Sequence, residues 1–211
     1  HVTDGGYYAL YGIPSNLTYG STVYDKGGQV VHTLRNYLGN SVFFNGVKTY
    51  LSQYAYNYAS SENMRDFLSA YTGTDLTDFF NAWVFTPGFP HFSVDSFQVQ
   101  QTQDHYDVTV FVRQKLKGTN TLANSNHLEI TFMDSLWQIY SDTLHFSGLA
   151  GSKIFSVPFK PVVAMADYHE EISDAVTEYA TTIKTTGEIA FPLTYAKVIT
   201  QSVTDSAFVK I

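Results

Sequence analysis

The sequence predicts two parts, a small α-helical module followed by a β-sandwich of immunoglobulin or fibronectin type III character. Three observations carry this expectation. Apolar residues recur at helical spacing up to Gly88. They alternate with polar ones after Phe89-Pro90. Clusters of turn-forming residues then cut the second part into short runs. The boundary is therefore expected between residues 1–88 and 89–211, with the sandwich incomplete at its C-terminal end.

In the first part, Val30, Val31, Leu34 and Leu38 follow the loop Ile13-Pro14-Ser15-Asn16 at the spacing of one helix face. Gly39 is expected to close that helix as a left-handed cap. Ser41 is expected to open the next, with Val42, Phe43, Val47, Tyr50, Leu51 and Tyr54 as its stripe. Ser60 or Ser61 caps a third helix carrying Met64, Phe67, Leu68 and Tyr71, and Gly73 stops it. Thr74 or Asp75 starts a fourth with Leu76, Phe79, Phe80 and Trp83 inward, ended by Pro87-Gly88. Four short helices with short loops suit a packed bundle, and such stripes are core rather than binding surface.

In the second part the period becomes two. Phe92, Val94, Phe97 and Val99 suggest a strand with a bulge at Asp95-Ser96. Val108, Val110 and Val112 alternate with Thr109, Phe111 and Arg113, while Leu128, Ile130 and Phe132 alternate with Glu129 and Thr131. Shorter candidates are residues 138–140, 143–146, 154–157 and 162–165, separated by turn clusters at 118–120, 124–126 and 148–152. A short helix is expected over 173–182 and a last strand over 203–211.

Composition narrows the partners. The 211 residues are 44% hydrophobic, enough to bury a core, and carry a net charge of -7. That charge argues against nucleic acid, whose phosphates need a basic face. No cysteine is present, so disulfides and thiolate metal sites are excluded. No apolar run approaches the roughly 20 residues of a membrane-spanning helix. The chain opens on His1 without Met and closes inside the alternation 207–211, so both ends read as cuts.

Chemistry-bearing motifs are scarce. A catalytic zinc usually takes three His, Asp or Glu ligands, two of them supplied by H-E-x-x-H on one helical turn. The nearest match, His169-Glu170-Glu171-Ile172-Ser173, lacks the second histidine and reads as a solvated acidic turn. His32, between Val31 and Thr33, reads as a satisfied boundary residue. No metal-binding residues are therefore expected in this chain. There is no G-x-S-x-G elbow and no phosphate loop; in Asp25-Lys26-Gly27-Gly28 the lysine precedes the glycines. Aromatic residues at 16% raise a carbohydrate- or surface-binding sandwich as a rival, but they fall mostly at core periods.

One stretch is distinctive as a whole. Val23-Tyr24-Asp25-Lys26-Gly27-Gly28, then Val30-Val31-His32-Thr33-Leu34-Arg35 and Leu38-Gly39, resembles the V-Y-x-K-G…v-l-h-m-l-r…l-G segment of aminopeptidase N-like (gluzincin) zinc peptidases. Phe43-Phe44-Asn45-Gly46 with Tyr50-Leu51 resembles the family's F-f-x-G…Y-l helix. Gly73-Thr74-Asp75-Leu76 with Phe79-Phe80 and Trp83 resembles G-x-D-L-x-x-F-F-x-x-W, and Pro87-Gly88-Phe89-Pro90 resembles p-G-x-P. Four motifs in order cover residues 18 to about 94. Weaker similarity to a bacterial branch of the family lies around Gln114, Trp137, Asp167 and Ile172-Ser173-Asp174-Ala175.

The resemblance implies the back half of a gluzincin catalytic domain followed by its β-sandwich, and a secreted or periplasmic location. It implies a parent enzyme that uses zinc to remove N-terminal residues from peptides. The family's H-E-x-x-H, third glutamate ligand and G-x-M-E-N motif precede the V-Y-x-K-G segment and are absent from this sequence. The chain alone is therefore expected to hold no cofactor and to be inactive, its partner being the missing zinc-bearing half of the domain. Helix stripes such as Val30, Val31 and Leu34 would then lack part of their cover, and self-association is an expected consequence. The alternative is a non-catalytic binding or scaffolding module on the same fold. The resemblance assigns one catalytic residue, Tyr24, as an oxyanion stabiliser in the parent enzyme. A phenol keeps its proton at neutral pH and can donate it in a hydrogen bond to a developing oxyanion.

Overall fold

A computed structural model describes residues 8–172. The helix expected over 173–182 and the strand expected over 203–211 lie outside the described residues. Those that are described form two compact units. One contains 8–90, 116–125 and 170–172, and the other contains 91–115 and 126–169.

The first unit is helical. Helix α1 spans Gly27–Leu38, α2 Asn40–Gln53, α3 Ser61–Thr72 and α4 Thr77–Phe80. Gly39 has φ 78° and ψ 150°, so it is not in the left-handed helical region expected of it. It ends α1 and directly precedes α2, which displaces the start expected at Ser41. Only glycine holds this positive φ without strain, and this one residue joins the two helices. Ser60 does cap α3. Asn63 N–H donates to Ser60 Oγ at 3.2 Å and Ser60 N–H donates to Asn63 Oδ1 at 2.9 Å. Such a reciprocal box contributes about 1 kcal/mol. Gly73 closes α3 with φ 72° and ψ 10°, a left-handed cap.

Two π-turns, Thr22–Lys26 and Asn81–Phe85, were not legible as such. The second continues α4, and its wider winding buries the consecutive residues Ala82, Trp83 and Val84. Phe79 stacks on Trp83 at 6.0 Å and meets Tyr37 edge-on at 5.1 Å. With Phe43, Leu68, Leu76 and Phe80 these rings form the unit's core. Val30 and Leu34 belong to it too, at 3% and 2% exposure, so the uncovered stripe expected at Val30, Val31 and Leu34 reduces to Val31. Asp78 fastens the 116–125 segment, accepting from the backbone N–H of Asn124 and of Ser125 at 2.8 Å each.

The second unit is a β-sandwich. Strands β1 Phe89–Gln101, β2 Tyr106–Lys117 and β5 Ala150–Val157 form one sheet in the order β1-β2-β5. Strands β3 Asn126–Met133, β4 Ile139–Phe146 and β6 Val163–Ala166 form the other in the order β4-β3-β6. The register pairs Val108 with Phe155 and Val110 with Lys153 in the first sheet, and Leu128 with Leu144 in the second. Val108, Val110, Leu128, Ile130, Phe132, Leu144 and Val157 are fully buried. Phe132 meets Phe155 edge-on at 5.1 Å, and Phe92 meets Phe146 at 5.7 Å, closing the space between the sheets.

Three strand expectations change. The candidates at 138–140 and 143–146 merge into one strand, β4, from Ile139, and residues 150–152, expected in a turn, belong to β5. β1 runs unbroken through Asp95-Ser96 and is buried at every position from Phe89 to Val94. Glu129 and Thr131, read as the polar members of the β3 alternation, are 7% and 0% exposed and are met on that face by His169 and Ser141.

Candidate functional site

Tyr24 sits in the middle of the π-turn Thr22–Lys26, just ahead of α1, and is 61% exposed. The turn around it is anchored. Tyr24 N–H donates to Gly20 O at 3.2 Å, and the Gly27 N–H is shared between the carbonyls of Thr22 and Tyr24. Two residues on, Lys26 turns inward and is 2% exposed. Its Nζ donates to Tyr8 O at 2.8 Å and lies 4.8 Å from the centre of the Phe89 ring. Burial pushes the Lys26 ammonium from its ordinary pKa of 10.5 down to about 8. The segment it holds continues into Leu10 and Tyr11, whose N–H groups donate to Val84 O at 2.9 and 3.2 Å. The lysine of V-Y-x-K-G is thus a buried tie, and the tyrosine and Asp25 are the side chains that the turn presents outward. Gly27 and Gly28 leave the start of α1 uncrowded; a Cβ at Gly28 would meet nothing within 4 Å.

The other candidates are satisfied elsewhere. His32 Nε2–H donates to Glu170 O at 3.1 Å, and Asn36 Nδ2 donates to Glu171 O, so α1 holds the 170–172 segment through backbone carbonyls. This agrees with the boundary role read from the sequence. His169 is more than part of a solvated turn. Its Nδ1–H donates to both carboxylate oxygens of the buried Glu129 at 2.8 Å. Thr131 Oγ1 donates to the same carboxylate and lies 2.7 Å from Ser141 Oγ. Period two alone made Glu129 look exposed; only the distant His169 reveals its partner. Gln114 is buried, its Nε2 donating to Gly148 O at 2.8 Å. Trp137 and Asp167 have positive φ of 66° and 52°, which makes them turn positions.

Zinc of the family's kind does not fit the described residues. The sequence lacks H-E-x-x-H, His169 is committed to Glu129, and no three His, Cys, Asp or Glu side chains converge among the described residues. The most exposed aromatics lie in the helical unit, whereas Phe111 on β2 is 37% exposed. Tyr56 and Tyr58 stand fully exposed after α2. Tyr54, Phe67 and Tyr71, with Thr49, Gln53 and Ala70, line an open groove of about 450 Å³ between α2 and α3.

The peptidase family M1 domain matches residues 14–83, the segment containing the Tyr24 turn and all four helices. Over that segment the chain is similar to peptidase family M1. Among curated relatives, aminopeptidase N of Lactococcus lactis subsp. lactis is 34% identical over 73 residues, 35% of this chain and 9% of that protein. Mitochondrial aminopeptidase 2 of Saccharomyces cerevisiae is 32% identical over 79 residues, 37% of this chain and 8% of the relative. The chain thus matches about a tenth of these relatives' length. A solved structure of Legionella pneumophila aminopeptidase A in complex with aspartic acid superposes with a TM-score of 0.61 over 82% of this chain and 20% of its own, at 14% identity. At that identity the likeness is one of fold, and it extends beyond the family M1 segment into the sandwich.

Proposed function

We propose that this chain is part of a zinc-dependent aminopeptidase, and that it acts on peptides only together with sequence that carries the metal ligands. One observation carries the reading. The segment that matches peptidase family M1 presents Tyr24, 61% exposed, on a turn held by the buried Lys26. When a peptide carbonyl is attacked, negative charge grows on its oxygen. A phenol O–H aimed at that oxygen donates a hydrogen bond that strengthens as the charge develops, so it stabilises the transition state more than the bound substrate. Lys26 would act as a positioning residue, since its ammonium reaches Tyr8 O rather than the surface.

The test is Tyr24→Phe in the protein that contains both this segment and the metal ligands. Loss of one oxyanion donor should lower kcat by about 100-fold or more with KM little changed. Thermal stability should stay within about 0.5 kcal/mol, as for other exposed substitutions. Near-normal kcat removes Tyr24 from the mechanism.

A further inference from the structure

We infer that His127 and His145, facing each other across β3 and β4, form a two-imidazole chelate for a divalent ion of tetragonal preference, Ni²⁺ or Cu²⁺. The pair is set by register: His127 lies directly opposite His145 in the antiparallel ladder. Side chains at such positions leave Cβ atoms about 4.5–5.5 Å apart, within reach of one shared ion. The ring centres are 4.3 Å apart with planes at 85°. An ion about 2.0–2.1 Å from each ligating nitrogen would lie about 3.2 Å from each ring centre. With one nitrogen of each ring facing the shared point, two centres 4.3 Å apart subtend about 85° there, the cis angle of square-planar or octahedral coordination and well short of the tetrahedral angle zinc prefers.

The surroundings favour a cation. On this face of the sheet, opposite the Leu128, Ile130 and Phe132 core, the remaining positions of β3 and β4 are Glu129, Thr131, Met133, Ile139, Ser141 and Thr143, with no lysine or arginine. Glu129, two residues from His127 on the same face, is already engaged by His169 and Thr131, so the ion's remaining positions fall to water. β4 is the edge strand of the sheet, and His145 on it is exposed, so an ion has open access and water can fill its other positions. Burial first, and then the neighbouring His145, push the His127 imidazole down to a pKa of about 4. It is therefore unprotonated at neutral pH, as a metal ligand must be. An edge-on cross-strand pair with no ligand role is the competing explanation, and it predicts no metal effect.

Calorimetric titration of Ni²⁺ into the purified chain and into His145→Gln separates the two. His145 is exposed, so the variant should fold, which circular dichroism checks. The wild type should take up one equivalent more than the variant. Equal uptake overturns the proposal. A second readout needs no variant: substoichiometric Cu²⁺ should broaden the imidazole proton resonances of His127 and His145 ahead of those of the other histidines. Broadening that begins elsewhere and spares this pair also overturns it.

Discussion

At the scale of the residue, Lys26 and Tyr24 divide the work of one turn. Lys26 is a buried ammonium whose pKa falls from 10.5 to about 8 through burial. Between those values the unfolded chain holds a proton that the folded chain has lost. Stability therefore rises with pH across this window, and the cost of burying the charge is fully present below about pH 8. A shift of that size corresponds to a cost on the order of 3 kcal/mol at neutral pH. The hydrogen bond to Tyr8 O and the contact with Phe89 offset part of it. The expected outcome concerns the slope. Urea unfolding between pH 7.5 and 10.5 should show stability climbing with pH in the wild type, and the climb should flatten in Lys26→Met. Loss of the Tyr8 contact shifts the whole Lys26→Met curve by a constant and leaves the comparison of slopes intact. Parallel curves would falsify the assignment. The sequence pointed to this lysine only through a false likeness to a phosphate loop and a true one to V-Y-x-K-G. No property of the local sequence says that its ammonium turns inward to a carbonyl 18 residues away.

At the scale of the element, close approaches decide what the chain tolerates. Gly88 ends the helical module with φ 72°, and a Cβ there would come within 2.2 Å of Lys117 O and 2.3 Å of the Gly118 carbonyl carbon. Both atoms are backbone and have no rotamer to change. Gly88→Ala should therefore destabilise by about 2–4 kcal/mol, combining left-handed strain with overpacking. At Gly46 on α2, a Cβ would meet Leu68 Cδ2 at 3.1 Å and Tyr71 Cδ1 at 3.2 Å on α3. Those are ends of flexible side chains. Gly46→Ala should be near neutral, since the helix-propensity gain of about 1 kcal/mol opposes the crowding, while Gly46→Leu should cost about 1–3 kcal/mol. Differential scanning calorimetry of the three variants checks the order. Helical stripes such as Leu76, Phe79, Phe80 and Trp83 were legible because burial on one face imposes its period on the sequence. The period hid what is buried on both faces. β1 from Phe89 to Val94 and the Glu129–Thr131 stretch of β3 carry no clean alternation of burial, and the polar members of β3 are matched by the distant His169 and Ser141. The π-turns were hidden too, because a wider winding changes backbone hydrogen bonds without needing a particular residue type.

At the scale of the whole molecule, recognition and chemistry separate. Residues 14–83 were legible as peptidase sequence because four spaced motifs had to agree in order, and the family match covers the same stretch. The sandwich offered its period and a weaker similarity around Gln114, Trp137 and Asp167, and there the likeness to a solved aminopeptidase is one of fold. Catalysis needs an ion-binding triad that this sequence does not spell, since the nearest approach to H-E-x-x-H ends in Ser173. The single histidine of that stretch, His169, is tied to Glu129, which accepts from it with both oxygens. Freeing it to bind a metal would leave a buried carboxylate without that partner, a penalty of several kcal/mol that one weak ligand bond does not repay. The chain by itself should therefore retain no stoichiometric zinc after dialysis and should not release amino acids from aminoacyl arylamides. Elemental analysis and a chromogenic assay on the same preparation measure both. Adding the metal-bearing remainder of the domain in trans should restore turnover if this chain is its catalytic complement. A non-catalytic module would bind such a partner without turnover. One zinc per chain that a chelator removes with loss of stability would contradict the reading directly, because it would require a three-ligand site that residues 8–172 do not assemble.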